Sequence, residues 1–319
     1  MIAHRDIDGL RDVPGPVHLA IGVFDGVHLG HQAVIGAALA SARESGGTAC
    51  VVTFDPHPAR VLAPASAPRL LTATAHKLSL LAGLGIGQAV IIGFDREFAE
   101  MPAERFVRRL HESSDRLRRI SVGADWRFGN RCQGDVALLE SLGKELGFAV
   151  TGVPTVKVGG FVASSTRIRE AVAGGDFAVA ERLLGRPYTV LGTVVEGRRL
   201  GRTLGFPTAN LRVHNEQLPP TGVYAVRVRR VADSAVSAGS ADHIWGGVAN
   251  LGYRPTVETD GLRRQLEVHL FDYAGDLYGA ELEVEFRAFL RPERAFDGLE
   301  ALRAQIAADA DAARGVLGR

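Results

Sequence analysis

The stretch Val17-His-Leu-Ala-Ile-Gly-Val-Phe-Asp-Gly-Val-His-Leu-Gly-His31 decides how the first half of the chain folds. Val17 to Phe24 reads as a buried strand, followed by a glycine-punctuated turn and two histidines three residues apart. The next run, Gln32 to Ser45, has the alanine and leucine content of a helix and stops at Gly46-Gly47. A strand that feeds a helix through a tight turn presents unpaired backbone N–H groups at one point, where the helix dipole also favours negative charge. His28 and His31 are one turn apart, so both rings lean over that point. The stretch predicts an anion site, phosphate above all, with two potentially cationic donors.

Outward from it, apolar runs alternate with helical patterns as far as about residue 185. Ala49 to Phe54, Gln88 to Phe94, Ile120 to Gly123 and Phe148 to Val153 read as strands buried on both faces; Ala75 to Leu84, Ala103 to Glu112 and Val136 to Leu146 read as helices. This is the pattern of a parallel sheet covered on both sides, with ligands bound beyond the carboxyl ends of its strands. Near Pro187 the pattern changes. Tyr188 to Val195, Val223 to Arg230, Ile244 to Ala249, Gln265 to Phe271 and Leu282 to Leu290 read as strands of a small antiparallel barrel. A helix over roughly 298–313 plugs or flanks it, and Val231 to His243 reads as a flexible hairpin insertion. The expected domains are therefore 1–186 and 187–319.

Bulk properties narrow the function. The 319 residues carry a formal net charge of +1, which disfavours a nucleic-acid or membrane coat. No run approaches the roughly 18 apolar residues of a membrane span, the N-terminus lacks a signal-peptide core, and a cytoplasmic location is expected. Two cysteines, Cys50 and Cys132, are too few for a zinc motif or a disulfide framework. The absence of GxxxxGK[ST], and of GxGxxG after the first strand, lowers P-loop kinases and dehydrogenases.

Other segments bear on chemistry. Phe54-Asp-Pro-His57-Pro58 ends the second strand, so His57 lies near a ligand unless the prolines merely end the strand. Val122 to Gly129 places Asp125, Arg127 and Phe128 at another strand end, suited to a flat anionic ligand or, equally, to a loop ion pair. In Ser164-Ser165-Thr166-Arg167-Ile168-Arg169, hydroxyls cap a helix, but two arginines in its first turn oppose the dipole, a local cost that a bound anion offsets. Gly192 to Leu211 holds Gly201, Gly205 and a compact turn Pro207-Thr208-Ala209-Asn210; its oxygens suit a hydrated magnesium ion, though a glycine-rich hairpin explains the composition as well. Glu267, Glu283 and Glu285 all alternate away from the apolar faces of their strands, and the pattern marks all three as solvated.

Taken in order, GVFDGVHLGH, FDPHP, VGADWRFG, SSTRIR, LGRTLGFPTANL, GVANLGYRPTV and LEVHLFDYAGDLYG resemble the bacterial bifunctional riboflavin kinase/FAD synthetase family, from about residue 17 to the C-terminus. The resemblance implies a Rossmann-like α/β nucleotidyltransferase domain followed by a flavokinase β-barrel with a C-terminal helix. It implies ATP as co-substrate, Mg²⁺, and riboflavin, FMN and FAD as substrates or products. His28, Gly30 and His31 match its HxGH signature, with Gly22 and Phe24 beside it. Ser164, Ser165, Thr166, Arg167 and Arg169 match its second phosphate motif. Gly201 and Gly205 fall among its ATP-binding residues, Thr208 and Asn210 match its Mg–ATP turn, and Glu267 matches its general base. His57, Asp125, Arg127, Phe128 and Asn250 are the implied flavin contacts. Val23 departs from the polar residue common there, and the 231–243 insertion is longer than usual. The expected partners are small molecules, with a monomer or weak homo-oligomer that delivers flavin transiently to apo-flavoproteins. A single-activity enzyme and a flavin carrier without turnover are the competing readings.

Overall fold

The computed structural model describes residues 1–197, 200–231, 243–255 and 262–318. Two compact units divide the chain: Met1–Leu70 with Thr74–Arg167, and Leu71–Ala73 with Ile168–Arg319.

The first unit is built on six parallel strands: β1 (Ile2–Arg5), β2 (Val17–Ile21), β3 (Thr48–Asp55), β4 (Gln88–Gly93), β5 (Leu117–Gly123) and β6 (Ala149–Val153). Its helices are α1 (Leu29–Ser45), α2 (Pro58–Leu62), α3 (Thr74–Gly83), α4 (Arg96–Ala99), α5 (Ala103–Glu112) and α6 (Val136–Leu146). A two-residue pair, β7 (Lys157–Val158) and β8 (Phe161–Val162), follows. Strand order in the sheet is β1-β4-β3-β2-β5-β6. From β2 the chain lays β3 and β4 to one side and β5 and β6 to the other, so the order reverses between β2 and β5. Open parallel sheets bind ligands at such a reversal, beyond the carboxyl ends of the strands.

Both faces of this sheet are dry. Leu19, Ile21, Cys50 and Val52 face one core with Phe106, Leu110 and Leu139. Ala20 and Val51, one residue out of phase, face a second core with Ile35, Ala38 and Leu81. Period-two alternation between two apolar layers is why these strands read as continuous apolar runs. Helix α1 begins three residues earlier than Gln32 because His28 caps it, and it ends where Gly46 adopts a left-handed conformation at φ 65°. Strand β1 was not expected: at four mostly exposed residues on the sheet edge, it offers no periodic signal.

Helix α7 (Ser165–Ala173) begins in the first unit and continues into the second, where α8 (Phe177–Leu184) follows. The second unit then forms β9 (Thr189–Val195), α9 (Leu200–Thr203), β10 (Ala209–Val213), β11 (Gly222–Arg230), β12 (Ile244–Pro255), β13 (Leu262–Leu270), β14 (Glu281–Arg291) and α10 (Leu299–Leu317). The six strands close into an antiparallel barrel in the order β10-β13-β12-β11-β14-β9. Helix α10 flanks it, with Ala310, Ala313 and Leu317 packed on Val223, Ala225, Val248 and Phe271. The Arg291 guanidinium, at the end of β14, reaches Asp309 on α10 at 2.7 Å.

Two expectations change here. Ala209 and Asn210 are not in a turn but open β10, which pairs with both β13 and β9. Glu283 is not solvated: it is 5% exposed and ion-paired with Arg229. Alternation marks which face a residue takes, not whether another element covers that face. The expected insertion over 231–243 lies, for 232–242, outside the described residues. Among the described residues no helix is long and apolar enough to cross a membrane.

Candidate functional sites in the two units

In the first unit, β2 ends at Ile21 and the chain enters a turn with unusual backbone. Phe24 and Val27 both have positive φ, 53° and 44°, and Val27 is β-branched. Such conformations cost about 1–3 kcal/mol each and persist only where the surroundings over-determine them. They are over-determined here. The Val23 carbonyl accepts from Thr53 Oγ1 (3.0 Å) and Lys77 Nζ (2.9 Å), the Asp25 carbonyl from Ser165 Oγ (2.8 Å), and the Val27 carbonyl from Gln32 Nε2 (2.9 Å). Gly22 carries no Cβ because one would press on the Phe24 ring, which is 1% exposed.

The turn delivers His28 as the N-cap of α1, where its Nδ1 accepts from the His31 amide at 3.3 Å. That leaves Nε2 to carry the proton of a neutral His28 ring. The His28 and His31 rings stack at 3.5 Å and 18°, and Phe24 meets His31 edge-on at 5.3 Å. Burial, then the neighbouring His28 and Lys77, push the His31 ring well below the usual histidine range. His31 is thus neutral at neutral pH, which corrects the expectation that both histidines are potentially cationic. Its Nδ1 is buried without a hydrogen-bond partner.

The second expected phosphate segment meets this turn. A Cβ at Gly30 would crowd both the His28 ring and the Ala163 carbonyl, so glycine there allows the close approach. Ser164 Oγ accepts from the Arg167 amide and caps α7, while Ser165 ties α7 to the turn. The N-termini of α1 and α7 therefore converge on one place, where helix dipoles favour negative charge. Arg167 lies over the Phe161 ring at 3.8 Å, Thr166 is exposed, and Arg169 follows on the same helix.

The expected flavin contacts fare unevenly. Phe128 is 7% exposed and stacked on Trp126 at 4.4 Å, so Trp126 is the half-exposed ring of this loop. Arg127 pairs at 3.4 Å with Asp135, the N-cap of α6, a partner outside the Val122–Gly129 stretch. Asp125 accepts from Thr155 Oγ1. His57 caps α2 through Nδ1 and Ala59 N at 3.1 Å. The loop that carries Asp125 follows β5, across the strand-order reversal from the His28 turn.

In the second unit, the barrel register places Asn210, Glu267 and Asn250 opposite one another on β10, β13 and β12. All three line a cavity of about 680 Å³ that also takes in Thr208, Gln265 and His269. Glu267 is thereby separated from Glu283 and Glu285, the latter paired with Arg287 at 2.9 Å. Asn210 Oδ1 accepts from Gln265 Nε2 (2.9 Å), and a Cβ at Gly197 would overlap the Asn210 amide. His269 Nδ1 lies 2.8 Å from the Pro207 carbonyl and fastens the approach to Thr208. Gly201 packs so tightly on the Phe206 carbonyl that a Cβ would overlap it, whereas Gly205, at φ 87°, serves the turn itself. Asn250 Nδ2 donates to Glu293 at 3.1 Å. Phe206, Val248, Phe296, Leu302 and Ile306 give the cavity an apolar wall.

Comparison with known proteins matches residues 11–167 to the FAD synthetase family and residues 184–317 to the riboflavin kinase family. Bifunctional riboflavin kinase/FMN adenylyltransferase of Escherichia coli (strain K12) is 42% identical over 316 residues, 98% of this chain and 97% of that protein. The chain belongs to the bifunctional riboflavin kinase/FMN adenylyltransferase family. The Bacillus subtilis (strain 168) member is 36% identical over 91% of this chain and 89% of its own. A crystal structure from Streptococcus pneumoniae, described as a macrolide-efflux protein, has the same architecture with a TM-score of 0.79 and 28% identity, over 98% of this chain and 99% of that one.

Within this family frame, Lys77, Thr53, Trp126, Phe161, Gln265 and Glu293 join the sites although the sequence reading passed over them. Lys77 is 4% exposed, and burial pushes its ammonium down to about 8 against the opposing pull of Asp25 and Asp55. Mg²⁺ fits the segment that leads into β10 by donor chemistry. Thr208 and Asn210 supply neutral oxygens, and the Asn210 oxygen keeps a lone pair beyond its bond from Gln265. Magnesium suits such sites because it retains waters and takes most of its charge partners from substrate phosphates. Overpacking by one methyl costs about 1–3 kcal/mol. Gly201→Ala is accordingly expected to lower riboflavin phosphorylation roughly tenfold or more, measured as FMN produced, with FAD formation from supplied FMN unchanged.

Proposed function

We propose that the chain phosphorylates riboflavin to FMN in the barrel and adenylylates FMN to FAD in the first unit, with ATP as donor in both reactions. The division of labour is set near residue 186, adenylyl transfer in 1–186 and phosphoryl transfer in 187–319. The observation that carries this reading is that the two family matches fall on separate compact units, each with its own site.

In the barrel, Glu267 accepts the proton of the riboflavin 5′-hydroxyl as that oxygen bonds to the γ-phosphorus of ATP and the bond to the ADP oxygen breaks. Thr208 and Asn210 would hold Mg²⁺, which when bound neutralises phosphate charge. Gln265 keeps the Asn210 oxygen in place, and Asn250 and Glu293 border the flavin. Transfer of this kind depends on position and charge more than on covalent chemistry.

In the first unit, an FMN phosphate oxygen attacks the α-phosphorus of ATP and pyrophosphate leaves with the electrons of the broken P–O bond; no protein nucleophile takes part. The amides at the starts of α1 and α7, with His28 and His31, bind the phosphates, while Arg167 and Arg169 hold the pyrophosphate. Neutral His31 acts there as a hydrogen-bonding group rather than as a charge. Asp125 and the Trp126–Phe128 pair border the FMN. The enzyme works in the cytoplasm as a monomer or weak homo-oligomer and passes its flavins to apo-flavoproteins.

Incubation with riboflavin, ATP and Mg²⁺, followed by chromatography, tests the reading. FMN should appear first and FAD after it. FMN alone or FAD only from supplied FMN would leave a single-activity enzyme, and bound flavin without turnover would leave a carrier.

A further inference from the structure

Lys77 occupies a core position of α3, one turn from Leu81, with its ammonium inside the first unit. A lysine in such a place is expensive, since taking a cation out of water is offset only by good partners. Its partners are the Val23 carbonyl at 2.9 Å and Thr53 Oγ1 at 3.1 Å. Neither needs it for structural reasons. Thr53 already donates to the Val23 carbonyl at 3.0 Å, so that acceptor is satisfied without Lys77. What Lys77 adds is a charge and a second anchor at the residue that opens the strained turn to His28.

We infer that Lys77 is a positioning residue for adenylyl transfer, pinning the Val23 carbonyl so that the turn through Phe24 and Val27 presents His28 and the α1 amides. The inference rests on assigning adenylyl transfer to the His28/His31 turn. The groups around the ammonium are consistent with the role. Asp25 in the turn and Asp55 at the end of β3 attract it, and His31 on α1, beside His28, is held unprotonated partly by it. A wholly apolar side chain would fill the same space beneath the turn, but it would neither anchor Val23 nor repel a proton from His31. Functional sites tolerate this kind of expense because the geometry of the turn, not its stability, is what chemistry uses.

Lys77→Met and Lys77→Gln in the full chain test it, with kcat and KM for FAD formation, riboflavin phosphorylation and the His31 ring titration by NMR as readouts. Lys77→Met is expected to lower kcat for FAD formation roughly 30-fold or more while KM for ATP and FMN moves about threefold or less. Riboflavin phosphorylation stays unchanged, the thermal midpoint does not fall, and His31 takes its proton at higher pH. Lys77→Gln, which keeps a donor for Val23 without the charge, recovers part of kcat but not the His31 titration. Unchanged kcat in Lys77→Met overturns the inference. So does a fall in kcat confined to a variant that has also lost thermal stability while Lys77→Gln behaves as the parent, because Lys77 would then be structural. Should a His28→Ala, His31→Ala variant still make FAD, the site assignment itself fails, whatever Lys77 does.

Discussion

Replacing His28 and His31 together by alanine is expected to cut FAD formation from FMN by about 10³-fold or more and to leave riboflavin phosphorylation within about twofold of the parent. The first figure follows from removing two preorganised groups at the point where the helix N-termini converge. The second follows from their place in a separate compact unit with its own core. The single variants separate two roles of His28. Its Nδ1 caps α1, and losing an N-cap costs about 0.5–2 kcal/mol. His28→Ser retains an oxygen for the cap but removes the imidazole. If the ring works on phosphate, His28→Ser loses FAD formation nearly as fully as His28→Ala while its thermal midpoint stays close to that of the parent. If His28→Ser makes FAD normally, the imidazole has no catalytic part and only the cap matters. Coupled loss of both activities in the double variant would sink the two-site division.

These sites were unevenly legible in the sequence, for physical reasons that differ from residue to residue. The parallel sheet could be read because Leu19, Ile21, Cys50 and Val52 face one apolar layer and Ala20 and Val51 another, leaving no polar gaps. The convergence of the His28 turn with Ser165 could be anticipated from the two anion motifs, but not the hydrogen bond from Ser165 to Asp25 across 140 residues. The neutrality of His31 was invisible, since it depends on burial first and then on His28 and Lys77. Lys77 itself left a trace. It shares a helical face with Leu81 and Leu84, four and seven positions on, where an exposed lysine does not belong. In the barrel, alternation marked Glu267 and Glu283 alike as outward residues. Only the strand register covers one with an arginine and sets the other in a row with Asn210 and Asn250.

That contrast gives the second large effect. Glu267→Gln preserves the size and hydrogen-bonding reach of the side chain, so the row from Asn210 to Asn250 should stand. It removes the proton acceptor. Riboflavin phosphorylation is expected to fall by about 10²–10⁴-fold, chiefly in kcat, as for loss of a general base, with KM for riboflavin little changed. FAD formation should continue when FMN is supplied, as measured by chromatography of the products. Glu283→Gln is the matched control. It alters a carboxylate on another barrel strand, β14, one buried against Arg229, and it should lower the denaturation midpoint while leaving kcat for phosphorylation near that of the parent. If Glu267→Gln phosphorylates riboflavin at the parental rate, proton removal falls to solvent or to the phosphate itself, and the cavity then works by placement alone. If both variants lose kcat equally, the effect belongs to the barrel's stability and not to the position of Glu267 in the cavity.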